Sequence, residues 1–375
     1  TGLDVPYNGR AMHRGDAIDR STSGIATATH TRHDEGWRDM VRGSVTIRDV
    51  ARHAGVSIST ASRALGGGSA SAKTRTKVQQ AATALHFVPN TAAQQLITGR
   101  SNVVAIMITE TPDFMFQDAF ISSITSQLMN SFTKANLFPF LVLIAPNDAE
   151  GFARLLHNSR ADGMVVVSFH YSEQFATVIE QFGRPTVFVG KPPLDMDYPY
   201  VDPDQLQGGR MAGQVLTARG RRHIAIIEGP TDMHSPHERN DRTTGCVRAL
   251  HDAGLSPIAT IPGPYTMRHG IEAAHEVLTE HPEVDGFFTH SDQIAAGVLH
   301  LLHQHDRHVP RDISVVGFDN FQVAGLVSPP LTTIAQPLNQ LAEAATEMLC
   351  ARLEQGQWPY RRKIFPVHLV ERDSV

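Results

Sequence analysis

The chain has 375 residues, 41% of them hydrophobic and 19% charged, with a net charge of −5, enough for two or three domains with cores of their own. Its two cysteines, Cys246 and Cys350, lie far apart and argue against a disulfide framework. Apolar runs such as Val103–Ile108 are far too short to cross a membrane and no secretory leader is visible, so the expected location is the cytoplasm.

Thr1–Gly43 is polar and aperiodic, its six arginines balanced by six acids. It reads as a disordered tail, or as sequence upstream of the natural start. The next stretch, VTIRDVARHAGVSISTASRAL (Val45–Leu65), is strongly patterned. Thr46 and Asp49 form a helix-start signal, and Ile47, Val50, Ala51 and Ala54 repeat on one helical face. Gly55 supplies the left-handed stop. Ser57 caps a second helix with Ala61, Ala64 and Leu65 inward and Ile58, Ser59, Ser62 and Arg63 outward. Two short helices about a glycine turn are the helix-turn-helix unit, whose second helix fits the major groove of DNA; an ordinary helical hairpin is the bland alternative.

Gly66–Gly68 and Ser69 read as a turn, because a phosphate-cradling loop would need a following Gly-Lys-Ser/Thr. Ser71–Leu85 predicts a third helix with Val78, Ala81 or Ala82, and Leu85 inward. From Ser44 to Arg100 seven basic residues face Asp49 alone, so this stretch carries +6 and the remainder −11. A basic head on an acidic body is the pattern of a nucleic-acid-binding protein.

From Asn102 onward short β-rich runs alternate with helical ones. VVAIMIT, FPFLVLI, GMVVVSF, TVFVG, HIAIIE, IATI, GFFTH and SVVGF are the strands. The helices between them are Ala119–Asn136, Gly151–Ser159, Glu173–Phe182, Leu206–Arg219, Thr243–Ala253, Ile271–Thr279 and Gln293–His303. Such alternation means parallel sheets with helices on both faces. The length suits two lobes, with ligands in the cleft at the carboxyl ends of the strands.

The Val45–Leu65 stretch together with KTRTKVQQAATALHFVPNTAAQQLITGRS resembles the DNA-binding head and hinge of the lac-repressor (LacI) family of bacterial transcription regulators. That resemblance implies a small all-α helix-turn-helix head on an α/β two-lobed, periplasmic-binding-protein-like core. It divides the chain into a tail (1–43), a head (44–89), a hinge helix with linker (90–101) and an effector-binding, dimerising core (102–375). The core's lobes are approximately 102–201 with part of the C-terminal segment, and 202–331 with the rest, the chain crossing between them three times. The implied function is a repressor that binds a near-palindromic operator as a homodimer, or as a tetramer, under control of a small molecule. A sugar is the expected effector, a purine or other metabolite the alternative; no cofactor, metal or membrane partner is expected.

On the head, the family places operator contacts at Thr46, Ser57, Ile58, Ser59, Thr60, Ser62, Arg63, Lys73, Thr74 and Arg75. Arg63 suits the O6 and N7 acceptors of guanine, and Ile58 a thymine methyl. Ser57, Thr60, Lys73, Thr74 and Arg75 are expected at phosphates, which position without specifying. Asn90, Ala93, Gln94 and Leu96 belong to a hinge helix, Thr91–Ile97, too short to hold alone. Leu96 matches the family's minor-groove wedge; packing of the linker onto the core is its plainer reading.

In the core, the resemblance places Phe114, Phe116, Arg242, Tyr265, Ser291, Asp319 and Gln336 at the positions of the family's effector site. Arg242 and Asp319 could grip neighbouring hydroxyls as donor and acceptor, or instead form an interlobe ion pair. Tyr265 matches an aromatic platform, though a surface tyrosine fits as well. Phe114, Gly190, Asn240 and Ser291 depart from the residues usual in the family, which leaves the ligand open. His234, His237, His300, His303, His305 and His308 read as solvated rather than metal-binding, with neither cysteine near in sequence. The chain has no G-x-S-x-G, no G-x-G-x-x-G after a first strand and no H-E-x-x-H, so nothing invites catalysis. A pure solute-binding protein would share the core but should carry a leader and no basic head.

Overall fold

Helix α1 (Ile47–Ala54) starts where the Asp49 carboxylate accepts the Thr46 backbone N–H at 3.0 Å and its hydroxyl at 2.7 Å. Gly55, at φ 61°, ends it. Ser57 caps α2 (Ile58–Leu65) and Ser71 caps α3 (Ala72–Ala84), each hydroxyl accepting a backbone N–H three residues on. Val50, Ala51, Ala54, Ala61, Ala64, Val78 and Ala81 form the head's core, so small side chains let the helices approach closely. The predicted third helix is thus one residue shorter at each end, Ser71 and Leu85 serving as its caps.

This computed structural model describes residues 45–66, 68–87, 100–146, 148–168, 172–193, 196–230 and 241–375. The tail reading, the hinge helix with Asn90, Ala93, Gln94 and Leu96, and the readings of Asn240, His234 and His237 lie outside those residues. The chain divides into two compact units, Thr1–Asn90 and Thr91–Val375.

The second unit contains two six-stranded sheets. The first is built from β1 (Val103–Ile108), β2 (Phe138–Leu143), β3 (Gly163–Val167), β4 (Thr186–Val189), β5 (Tyr200–Pro203) and β11 (Arg362–Phe365), in the order β11-β5-β4-β3-β1-β2 and wholly parallel. Alternate residues of β1 serve opposite faces. Val104, Ile106 and Ile108 meet α5 (Ala119–Lys134) and α13 (Leu338–Gln355), while Ala105 and Met107 meet α6 (Ala149–Ser159) and α7 (Glu173–Phe182). A short helix, α4 (Pro112–Gln117), precedes α5.

The second sheet runs β12-β10-β9-β8-β6-β7, built from β6 (Ile224–Ile227), β7 (Ala259–Ile261), β8 (Gly286–Thr289), β9 (Ser314–Asp319), β10 (Thr332–Ala335) and β12 (His368–Val370). One of its faces carries α10 (Met267–Glu280) and α11 (Asp292–Gln304), the other α8 (Gln205–Ala218) and α9 (Asp241–Asp252). This sheet is not wholly parallel. β12 returns antiparallel along the edge of β10, because only two residues separate it from β11 in the other sheet, too few for a parallel crossover.

The chain passes between the sheets after β5, after β10 and after β11. The strands β5, β10, β11 and β12 and the short helices α4 and α12 (Gln322–Leu326) have no sequence signal of their own. Each is too brief to show a period and exists by packing on a neighbour. Among the described residues no helix is long and apolar enough to cross a membrane.

Candidate nucleic-acid interface and ligand cleft

On the head, α2 turns Ala61 and Ala64 inward, which leaves Ser59, Ser62 and Arg63 exposed and Ile58 47% exposed. The Ile58 side chain is thus available on the same outward face as Arg63. Arg63 donates from Nε to the Ser59 carbonyl at 3.3 Å, leaving its two terminal nitrogens for a partner. Some predicted contacts already have work within the head. The Ser57 hydroxyl lies 2.9 Å from that of Ser59 and 2.8 Å from that of Thr60, and Thr74 pairs with Ser71 at 2.8 Å. Thr46 is engaged with Asp49, whose carboxyl is held below the usual range by those hydrogen bonds. Arg75 ties α3 to the preceding loop through the Gly68 carbonyl at 3.1 Å; Lys73 is exposed.

In the core the decisive side chain is Arg242, at the first turn of α9. That helix lies against α8 where Gly209 and Gly245 sit; a Cβ on Gly209 would strike the Arg242 carbonyl, and one on Gly245 that of Leu206. The Arg242 guanidinium stacks on Phe318, 3.8 Å from the ring centre. It donates from Nε to Gln205 Oε1 at 2.6 Å and from Nη1 to the His290 carbonyl, and Nη1 stands 3.9 Å from Asp319 Oδ1. Gln336 Nε2 donates to the same Asp319 oxygen, while Gln336 Oε1 is buried with no hydrogen-bond partner among the described residues. Gln205 Nε2 donates in turn to Asp202 Oδ1 at 3.1 Å.

A polar chain therefore runs Asp202–Gln205–Arg242–Asp319–Gln336. It starts on the last strand before the first passage between the lobes and ends at the second passage. Arg242 and Asp319 belong to the same lobe, so the alternative of an interlobe ion pair is wrong for this pair. Sequence order could not tell, because the chain leaves and re-enters each lobe.

Burial sets the protonation chemistry. Asp202 is pushed up to about 7, chiefly by burial, against the pull of the Gln205 hydrogen bond and Arg242. Asp319 is raised well above the carboxylate range by burial despite Arg242. From the first lobe, Asp118 caps α5 and is raised by burial; its field reaches Arg242, Asp319 and Tyr265 across the cleft. Asp319 sits at φ 112° with Asn320 at φ 61°, backbone that a non-glycine residue holds only when its surroundings impose it.

The remaining expected residues divide. Tyr265 packs where a Cβ on Gly229 would strike its ring, so the glycine admits it to the cleft wall. Phe114 leans on the first lobe's apolar core, and Phe116 is 74% exposed. Ser291 is buried, and its hydroxyl accepts the Ile294 N–H as the cap of α11, work that a departure from asparagine preserves.

Residues not singled out in the sequence complete the wall. Gly229 N–H donates to His290 Nδ1 at 3.2 Å, so the ring's proton sits on Nε2, 3.0 Å from the Thr243 hydroxyl, which donates to Glu228. Burial, then Arg242, keeps His290 well below its ordinary pKa and neutral. Asp202, Glu228 and His290 each stand at or just past the carboxyl end of a strand, the position that marks ligand sites in such sheets; that rule, applied to every strand, would have found them.

Comparison with known proteins gives the same picture. Residues 46–90 match the description "Bacterial regulatory proteins, lacI family", and residues 214–375 match "Periplasmic binding protein-like domain". The HTH-type transcriptional regulator CelR of Thermobifida fusca is 32% identical over 336 residues, covering 88% of this chain and 98% of that one. The solved "transcriptional regulator CelR-cellobiose complex" superposes with a TM-score of 0.69 at 29% identity, over 88% of this chain and 100% of the other. The lac repressor dimer bound to operator and the anti-inducer ONPF gives 0.74 at 27% identity, over 88% and 99%.

Proposed function

Because the chain belongs to the lac-repressor family of bacterial regulatory proteins, we propose that it is a homodimeric repressor whose operator affinity is set by a sugar in the cleft of its core. The observation that carries the sugar is the buried chain from Asp202 to Gln336. It offers a guanidinium donor, the carboxyl groups of Asp202 and Asp319 and one amide oxygen, Gln336 Oε1, unpartnered among the described residues, the mixture that adjacent hydroxyls satisfy. CelR, the relative solved with cellobiose, supports that class. Division into tail (1–43), head (44–89), linker (90–101) and core (102–375) belongs to the same reading, as does action on DNA in the cytoplasm. No reaction is assigned.

The mechanism follows from where the polar chain sits. A ligand that reorganises the polar chain from Asp202 through Arg242 and Asp319 to Gln336 acts on its two ends, at two of the three passages between the lobes, and so on the angle between them. Coupling of about 1–3 kcal/mol between cleft and head would change operator affinity by tens of fold.

A thermal-shift screen of sugars and nucleobases tests the cleft, since a ligand bound only by the folded core raises the melting temperature by mass action. The sugar giving the largest shift should alter operator affinity, and Asp319→Ala should abolish both effects. A nucleobase that shifts the protein while no sugar does would overturn the assignment. For the head, Arg63→Ala should cost about 1–3 kcal/mol at the selected operator and relax preference at one G·C pair per half-site. Unchanged sequence preference in a binding-site selection would remove Arg63 from base reading.

A further inference from the structure

The core carries most of the chain's negative charge, yet some of its arginines are gathered in one place. Arg100, Arg160, Arg184 and Arg361 each stand one to three residues before a strand of the first sheet, namely β1, β3, β4 and β11. Because these strands are parallel, the four guanidiniums collect at one end of the lobe, opposite the carboxyl ends that face the cleft. A groove of about 910 Å³ opens there, with Arg100, Arg154, His157, Arg160, Asp162 and Arg184 in its wall. A smaller recess of about 210 Å³ shares Arg184 and adds Arg352, Arg361 and Trp358.

The neighbouring carboxylates leave much of this charge uncompensated. Asp162 accepts the backbone N–H groups of Ser101 at 3.0 Å and Asn102 at 2.7 Å. Asp197 pairs with Arg361 at 2.7 Å, and Glu150 lies 3.7 Å from Arg154 on an exposed helix face. Arg100 donates to the Leu353 carbonyl. The guanidiniums of Arg160 and Arg184 make no hydrogen bond or ion pair among the described residues; the Arg184 carbonyl accepts the Thr186 hydroxyl at 3.1 Å. Helix ends account for part of the arrangement. Arg160 is the C-cap of α6 and Arg184 follows the C-cap of α7, where a cation suits the dipole. Arg361 stands at no such end. The matching end of the second sheet mixes signs, with Arg221 and Arg222 before β6, Asp285 before β8 and Asp312 before β9.

We propose that this basic rim of the first lobe binds the phosphate backbone of duplex DNA flanking the operator, so that the core adds sequence-independent affinity to the head's reading. An extended polyanion fits better than a small anion, because the arginines are strung along the ends of four strands and two recesses instead of converging on one point. Chain length allows it. From Phe87 to Arg100 the chain advances thirteen residues, at most about 45 Å when fully extended. The proposal rests on the operator-binding reading above.

The test titrates the full-length protein onto a duplex of about 20 bp holding only the operator and onto one of about 60 bp with the operator centred, at one dimer per duplex, across a salt series. The wild type should bind the longer duplex more tightly, with a log K against log salt slope steeper by about 2–3, at about 0.9 per phosphate neutralised. The triple variant Arg154→Gln/Arg160→Gln/Arg184→Gln should lose that difference while keeping its melting temperature and its affinity for the short operator. Equal slopes for the wild type on both duplexes, or a length effect that survives in the triple variant, would overturn the proposal. So would a small-anion site, seen as inorganic pyrophosphate raising only the wild type's melting temperature with no duplex-length effect. Failure of the wild type to prefer the short operator over a scrambled duplex would instead defeat the operator-binding reading itself.

Discussion

In the head, Ser57, Ile58, Ser59, Ser62 and Arg63 come from one short stretch of chain and are exposed; in the second lobe, Arg242, Asp319 and Gln336 come from three separate elements and are buried. The head's surface is made by one helix turning its alanines inward, so its chemistry is fixed by period and capping. The cleft needs a sheet, two helices in glycine contact and a passage between lobes before its side chains meet. The difference teaches that head substitutions should act on the operator and on little else, whereas cleft substitutions should act on folding and ligand together.

That contrast is sharpest at Arg242. Replacing it with Met removes the bonds to Gln205 and the His290 carbonyl and leaves Asp319 buried without its cation. Arg242→Met should destabilise the core by about 3–5 kcal/mol. Denaturant unfolding at an unchanged m-value measures it. Adding Asp319→Asn should recover part of the loss, and strict additivity of the two would show that the pair is not coupled.

Asp202 predicts a smaller, pH-dependent effect. Its folded pKa is raised from 3.8 to about 7, so between those values the folded chain holds a proton the unfolded chain has released. Stability from this group is therefore lost as pH rises from about 4 to about 7, by an amount on the order of 4 kcal/mol once the cost is complete above that window. Asp202→Asn, which keeps an acceptor for Gln205, should remove this slope. Melting temperatures of both proteins at about pH 5 and about pH 8 decide it; parallel curves would show that Asp202 is solvated.

The smallest effect lies in the head. Ser57→Ala removes the cap of α2 and should cost about 1 kcal/mol of head stability without DNA. The melting of the core should not move. A shift of both transitions by the same amount would break the contrast drawn here, since head and core would then unfold as one.

Much of the fold was legible in the sequence, for reasons visible in particular residues. The Thr46–Asp49 start, the Gly55 stop and the Ser57 and Ser71 caps are contacts within four residues, so the segment carries its own instructions. The strands β1, β3 and β9 are continuous apolar runs because both faces of their sheets are covered. Arg242, Asp319 and Gln336 were legible as a set only through family resemblance. Ser291 was marked for the cleft by the same resemblance, while its hydroxyl is occupied in starting α11.

What the sequence determined by itself is therefore the head's three helices, the parallel α/β character of the core and the segregation of positive charge toward the N-terminal part. The tertiary structure alone decided that Arg242 and Asp319 share a lobe, that His290 is neutral between Gly229 and Thr243, and that β12 runs antiparallel at its edge. It also decided that four arginines distant in sequence share one end of a sheet. The physical reason is range. Helix period and capping act between residues three or four apart, whereas buried protonation and ion pairing depend on neighbours brought in across passages between lobes, which no local spacing encodes.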